Sequence, residues 1–259
     1  MAEVVRQPAW PSRLWLVRHG QSAGNVARDA AEAAGRPLID IAERDVDVPL
    51  SELGVRQSQA LSSWFAALPR EDQPNVVLHS PYVRAAETAN ILMQGLNRDD
   101  LLAVHADERL REKEFGILDR LTVRGIAEKY PELHEQRHHV GKFYFRPPGG
   151  ESWCDVILRL RSVLDTVTRE YPRERVLIVA HQVIVNCFRY LIERMDEAAI
   201  LAQDRAGDVP NCSVTSYVFD PTLGKRGKLA VRLVNFVAPL EASGTPVTVA
   251  KDQPTAAKA

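Results

Sequence analysis

Twice in this chain a short apolar run stops at a histidine, and that repeated device constrains the fold more than any other feature. Residues 14–17 read Leu-Trp-Leu-Val and lead into Arg18, His19, Gly20, Gln21 and Ser22. Residues 175–180 read RVLIVA and lead into His181. Short apolar runs of this kind are buried strands. In an open α/β sheet, ligands collect beyond the carboxyl ends of the strands. An arginine and a histidine at such a point can serve as an anion clamp and a nucleophile. Gly20 lets the backbone approach a bound group closely. Ser22 and Asn25 add neutral donors, and Gln21 is counted with them as a substrate contact. The competing reading of each run alone is a strand ended by an ordinary polar turn.

The remaining chain supplies elements that alternate in the α/β manner. Residues 23–34 are helix-prone and end at Gly35, Arg36 and Pro37. Ser51 is placed to cap a helix carrying Leu53, Ala60, Leu61, Trp64, Phe65 and Leu68 on one face, with Pro69 as its stop. Residues 76–78 form a second buried strand. Ser80 is read as the next N-cap, with Pro81 at the first helical position. Arg84 then falls in the first turn, where an anion held by helix N–H groups would suit it. A third strand is expected at 101–104, a short helix from Thr122 to Tyr130 with Pro131 as its end, and a long helix over 151–171. Val156, Ile157, Leu160, Val163, Leu164, Val167 and Tyr171 give that long helix its buried face. Alternating residues after Ser213 and again at Leu229, Val231 and Leu233 close the chain as two more strands.

The 33 basic and 34 acidic residues leave a formal net charge of −1, so nothing electrostatic favours nucleic acid or an anionic membrane as partner. An anion site must therefore be a local arginine cluster. No secretory signal and no membrane-spanning run are read from the sequence. Cys154, Cys187 and Cys212 are odd in number and lack CxxC spacing, which points away from disulfides and zinc and towards a cytoplasmic setting. Oligomeric state is left open. Residues 1–12 read as a lead-in, 13–238 as one catalytic domain and 239–259 as a disordered tail.

Three further features are weighed. The loop over 36–50 holds Asp40, Glu43, Asp45 and Asp47, without the spacing or glycine of an EF-hand, and reads as a solvated loop. His134 and His138 share a helix face but lack a third metal ligand at suitable spacing. Residues 141–152, with Lys142 and Arg146 among aromatics, are a lid candidate or a rigid connector. Glu112 and Glu114 stand two apart, and either could act as an acid.

The string LWLVRHGQSAGN resembles the signature of the histidine phosphatase, or phosphoglycerate mutase-like, superfamily. PLSELG, SPYVRAAETA and the L-x-E-x-x-F-G spacing at 110–116 resemble that family's later motifs, in family order. The resemblance covers nearly all of residues 13–236. It implies a three-layer α/β/α sandwich with a mixed, mostly parallel sheet. It also implies that His19 is phosphorylated during turnover, that Arg18, Arg84 and His181 hold the phosphoryl group, and that Glu112 rather than Glu114 is the proton donor. No cofactor and no metal is implied, and the partner is a small phosphorylated substrate. The loop over 36–50 would belong to the active-site rim. Residues 143–152 resemble a segment of a broad-specificity phosphatase-like branch, which makes Arg146 and Lys142 substrate-side contacts. Gln182 follows His181 as in fructose-2,6-bisphosphatase and is counted among the substrate contacts. The Thr-Gly-Trp and Trp-Arg-Arg-Ser segments of the family mutases are absent. The resemblance thus favours hydrolysis of a phosphomonoester over a cofactor-dependent phosphoglycerate mutase reaction. A non-catalytic phosphate-binding module is the third reading, opposed by the presence of all five core residues.

Overall fold

In the computed structural model, which describes residues 10–249, both histidine-terminated runs are central strands. β1 (Arg13–Arg18) and β4 (Arg175–Ala180) are parallel neighbours, in register from Arg13 opposite Arg175 to Arg18 opposite Ala180. Their ends therefore deliver His19 and His181 side by side. β2 (Val76–His79) flanks β4, and β3 (Ala103–Ala106) closes that edge, both parallel. On the other side β5 (Val214–Asp220) runs antiparallel to β1, and β6 (Lys228–Phe236) antiparallel to β5. The order β3-β2-β4-β1-β5-β6 gives the mixed, mostly parallel sheet that was expected.

After β1 the chain enters α1 (Ala23–Ala33), then the rim loop. Residue alternation along the strands builds the layers. Trp15, Val17, Val77, Leu177 and Val179 face α2 (Glu52–Ala66) and α3 (Val83–Gln94), packing on Leu61, Phe65, Ala85 and Leu92. The connection after β3 carries α4 (Val123–Lys129) and α5 (Pro131–Val140), whose Ile126 packs with Leu118, Leu121 and Phe145 in a small separate cluster. Leu14, Leu16, Leu78, Val176 and Ile178 face α6 (Trp153–Glu170) and α7 (Gln182–Glu193) through Val156, Leu160, Val163, Ile184 and Phe188. α8 (Glu197–Ala206) and α9 (Ala238–Ala242) complete the order. Strands apolar on both faces need helices on both faces, and burying each such side chain contributes about 1.5–3 kcal/mol. Ser51, Thr122 and Ser152 cap their helices by accepting from Gly54, Gly125 and Asp155 N–H groups.

Several sequence expectations are corrected. Ser80 is not the N-cap of α3; that position is Tyr82, without a side-chain bond, and Ser80 Oγ accepts from Tyr82 N–H at 3.3 Å and meets His181 Nε2 at 2.8 Å. The third strand lies at Ala103–Ala106, since this edge strand is largely exposed and pairs on one side only. Pro131 ends α4 but also opens α5, where its missing N–H costs nothing. The stretch from Leu240 is not a free tail. Leu240 is fully buried against the α2–α3 side of the sheet, and Thr248 Oγ1 donates to Asn211 and accepts from Gln57 Nε2. The body thus extends past residue 238. The expectations for residues 1–9 and 250–259 lie outside the described residues. Among the described residues, no helix is long and apolar enough to cross a membrane.

Candidate active site

The turn after β1 is fixed from every side. His19 N–H continues the β4 ladder by donating to the Ala180 carbonyl at 2.9 Å. Asn211 Nδ2 donates to the His19 carbonyl at 3.0 Å, and Gly20 N–H donates to Thr88 Oγ1 at 3.1 Å. Two glycines make the closeness possible. A Cβ on Gly20 would meet the Gly54 carbonyl oxygen at 2.5 Å, and one on Gly54 would meet the Gln21 carbonyl oxygen at 2.0 Å. α2 therefore packs directly on the histidine turn. Gln21 is directed there too: its N–H donates to Gln57 Oε1 and its side-chain oxygen accepts from Ser51 Oγ. It does not line the cleft, which corrects its assignment as a substrate contact.

The two imidazoles meet edge to face, with ring centres 5.1 Å apart. His19 Nδ1 lies 2.7 Å from its neighbour's carbonyl, Gly20 O. A carbonyl only accepts, so Nδ1 carries the proton and Nε2 keeps its lone pair. His181 is fully buried, and its Nε2 sits 2.8 Å from Ser80 Oγ. Its Nδ1 has no hydrogen-bond partner among the described residues and lies 3.8 Å from Glu112 Oε2. Burial, then the charge of Arg84, then that of Arg18 hold the His19 pKa well below its ordinary value. Burial, then Arg84, then the neighbouring His19 do the same to His181. Both imidazoles are therefore neutral near pH 7, a state that keeps His19 nucleophilic.

Around them stand the charged groups. Arg18 donates through one terminal nitrogen to Gln182 Oε1 at 2.9 Å and to the Val209 carbonyl. Gln182 in turn donates to Asp208 Oδ1 at 2.9 Å, so it orients Arg18 as well as lining the cleft. Arg84, buried at the start of α3, reaches the rim. Its Nη1 donates to the Asp45 carbonyl at 2.6 Å, and its guanidinium pairs with the Asp45 carboxylate at 3.1 Å. Glu112 lines the cleft and is buried, with Oε1 accepting from Lys113 N–H at 2.8 Å. Glu114 does not line it and accepts instead from Tyr82 Oη at 3.2 Å. A network the sequence did not announce holds the Glu112 loop. Arg159 Nη2 donates to the Glu112 carbonyl and to Glu151, and Glu151 also pairs with Arg111 at 2.8 Å.

The cleft, with a free volume of about 80 Å³, is lined by Arg18, His19, Ser22, Asn25, Arg84, Glu112 and Gln182 of the predicted set, while His181 is fully buried outside this lining, against His19 and near Glu112. Ser22 and Asn25 also form the capping box of α1. The rim loop contributes Ile39, Ile41, Glu43, Asp45 and Val48, as its predicted place implied. Arg28 and Arg120 line the cleft too and were missed. Arg28 stands on a helix whose polar face gave no signal, and Arg120 follows a turn without periodicity. Arg146 and Lys142 do not line the cleft, contrary to expectation. Arg146 pairs with Asp155, the third residue of α6 and the partner of Ser152 in its capping box, and Lys142 pairs with Asp204 at 2.7 Å. His134 and His138 lie on α5, and the described residues hold no cluster of three or more potential metal-ligating side chains.

Comparison with known proteins agrees with this arrangement. The model of the histidine phosphatase superfamily (branch 1) matches residues 14–229. A bifunctional protein of Mycobacterium tuberculosis is 31% identical over 234 residues, 88% of this chain and 56% of that protein. A 6-phosphofructo-2-kinase/fructose-2,6-bisphosphatase of Caenorhabditis elegans is 33% identical over 178 residues, 68% of this chain and 33% of that protein. The chain thus spans about half or less of the length of these curated relatives. Among solved structures, a mycobacterial glucosyl-3-phosphoglycerate phosphatase superposes with a TM-score of 0.65 at 25% identity, covering 86% of this chain and 98% of that one. An α-ribazole-5'-phosphate phosphatase of Escherichia coli gives 0.67 at 19% identity, covering 87% and 97%, and speaks to the fold alone. By its family match, its sheet and its paired histidines, this chain belongs to the histidine phosphatase superfamily.

Proposed function

We propose that this protein is a metal-independent phosphomonoester hydrolase that works through a phosphohistidine on His19. The observation that carries the reading is the buried pair of neutral imidazoles between Arg18 and Arg84, with Glu112 beside His181. A phosphomonoester brings up to two negative charges and three acceptor oxygens. Arg18 and Arg84 are permanent cations whose N–H groups suit those oxygens. His181 Nδ1, a buried nitrogen without a hydrogen-bond partner among the described residues, gains an acceptor when a phosphoryl oxygen arrives. Ser22, Asn25 and Gln182 lie within the same lining.

His19 Nε2 attacks phosphorus as the ester P–O bond breaks. Glu112, in its carboxylic acid form, gives its proton to the departing alcohol oxygen. As a carboxylate it then takes a proton from water. The water oxygen attacks phosphorus and the P–N bond breaks, which frees phosphate and neutral His19. The arginines neutralise the charge spread over the transferring group. The substrate is a small phosphorylated metabolite, and a reducing cytoplasmic setting suits three free cysteines.

The test is phosphate release from a panel of monoesters, with rapid acid-free quenching to trap a phosphoenzyme. The expected result is turnover of several esters and an acid-labile phosphate on His19. His19→Asn should abolish both and still bind inorganic phosphate. Full turnover by that variant would overturn the assignment.

A further inference from the structure

The cleft is electrically divided. Cations gather at the inner end: Arg18, Arg84 and Arg28 all line it, and behind burial their charges act together on His19. The mouth is built by the rim loop and by residues 115–120. Ile39, Ile41, Val48 and Phe115 give it apolar walls, and Glu43, Asp45 and Asp119 give it carboxylates. The cation at the mouth, Arg120, is engaged with the loop itself, donating to the carbonyls of Ala42 at 3.3 Å and Glu43 at 2.6 Å. Asp45 joins the two zones. It opens a one-turn 3-10 helix, Asp45–Asp47, and meets Arg84 through its carbonyl and both carboxylate oxygens. Its side chain is 43% exposed while that of Arg84 is 6% exposed, so the carboxylate faces the open mouth and the guanidinium does not.

We propose that Asp45 fixes the substrate class, restricting the site to phosphomonoesters of uncharged, hydroxyl-bearing alcohols and rejecting esters with a second anion next to the phosphate. The inference rests on the phosphatase reading above. An ester whose phosphoryl group reaches Arg84 must place its alcohol carbons beside the Asp45 carboxylate. Hydroxyls can donate to that carboxylate and to Glu43, and the carbon face of a polyol can lie on Ile39, Ile41 and Phe115. A carboxylate or second phosphate there meets a fixed like charge. At about 6 Å, with screening between that of bulk water and a protein surface, this repulsion is worth about tenfold in affinity. Arg120 keeps its charge, but its Nη2 is tied to the two loop carbonyls and it is outnumbered at the mouth by Glu43, Asp45 and Asp119.

Glycerol 3-phosphate and 3-phosphoglycerate test this cleanly. They have equal length and differ by a hydroxymethyl group against a carboxylate. Each is measured as a competitor of p-nitrophenyl phosphate hydrolysis, so that a slowly turned-over compound still reports. The wild-type protein should bind glycerol 3-phosphate about tenfold tighter than 3-phosphoglycerate, and 0.5 M salt should narrow that ratio. Asp45→Asn keeps an oxygen for Arg84 and removes the charge. It should narrow the ratio severalfold and weaken its dependence on salt. Glu43→Gln should narrow it less. A ratio unchanged by Asp45→Asn, a wild-type preference for 3-phosphoglycerate, or failure of both compounds to compete would overturn the proposal. Absence of p-nitrophenyl phosphate hydrolysis and of any phosphohistidine would instead overturn the phosphatase reading.

Discussion

Mild acid should destabilise this fold, and His19 and His181 set the size of the effect. A histidine in the unfolded chain titrates near 6.5. Burial and the neighbouring arginines hold both native imidazoles neutral well below that value. As pH falls through the unfolded value, the unfolded chain binds protons that the native state refuses. Stability is therefore present above about pH 6.5 and is lost below it. For a group that stays neutral in the native state, the unfolded state gains RT ln(1 + 10^(6.5 − pH)), about 0.2 kcal/mol at pH 7 and about 1.4 at pH 5.5. Two histidines make the loss about 2–3 kcal/mol over that window. In a chain of this size that lowers Tm by roughly 5–10 °C. Thermal melts at pH 7 and 5.5 measure it in the wild type, in His19→Asn and in His181→Gln. The first replacement keeps an amide donor for the Gly20 carbonyl and the second keeps a partner for Ser80 Oγ. Each should remove about half of the pH-dependent loss. A wild-type Tm that does not move, or variants whose Tm falls as steeply as the wild type's, would refute the buried neutral pair.

Three other outcomes follow from the same geometry. Arg84→Lys retains a cation but not the planar fork that meets Asp45 and, on the proposed mechanism, phosphate, so kcat/KM should fall about 10²–10³-fold in a steady-state assay. Glu112→Gln removes the proposed proton donor, so alkyl phosphates should slow far more than p-nitrophenyl phosphate, whose leaving group needs no proton; equal slowing would count against the acid role. Gly54→Ala would press a methyl group into the Gln21 carbonyl, 2.0 Å away, and should cost about 3 kcal/mol or more in denaturant unfolding. The same shift should disturb the His19 turn and reduce activity in the folded fraction.

What the sequence disclosed followed from periodicity and from short-range chemistry. Apolar runs placed β1, β2 and β4, and the starts of α2 and α4 were read from Ser51 and Thr122, because those signals act within a few residues. His19, Arg84, Glu112 and His181 were legible only through their motifs, since nothing local states that β1 and β4 are neighbours. Ser80 lies two residues before the true N-cap, where its hydroxyl accepts from Tyr82 N–H and also meets His181, 101 residues away, a contact no local signal states. Arg146 was misplaced for the converse reason: Asp155, nine residues on, holds it. Leu240 lies in a stretch of disorder-prone composition, yet one buried leucine and the Thr248 contacts tie that stretch down. The rim loop has no period to read, so the meeting of Asp45 with Arg84 had no signal before the fold brought them together.

That meeting also explains how so much positive charge sits in a narrow cleft beside two neutral imidazoles. A buried guanidinium without partners is costly, and one held by an anion and a carbonyl is not. Arg18 has Gln182 and the Val209 carbonyl, while Arg84 has Asp45. Gln182 and the Val209 carbonyl are neutral acceptors, so on the proposed mechanism a dianion competes with these two Arg18 contacts more readily than with an anion. Arg84's partner is itself an anion on a loop, so on the proposed mechanism the dianion shares the guanidinium with it. On this view the rim loop does two jobs with one carboxylate. It keeps the unliganded site electrically compensated, and it makes the alcohol side of the substrate answer to a fixed negative charge.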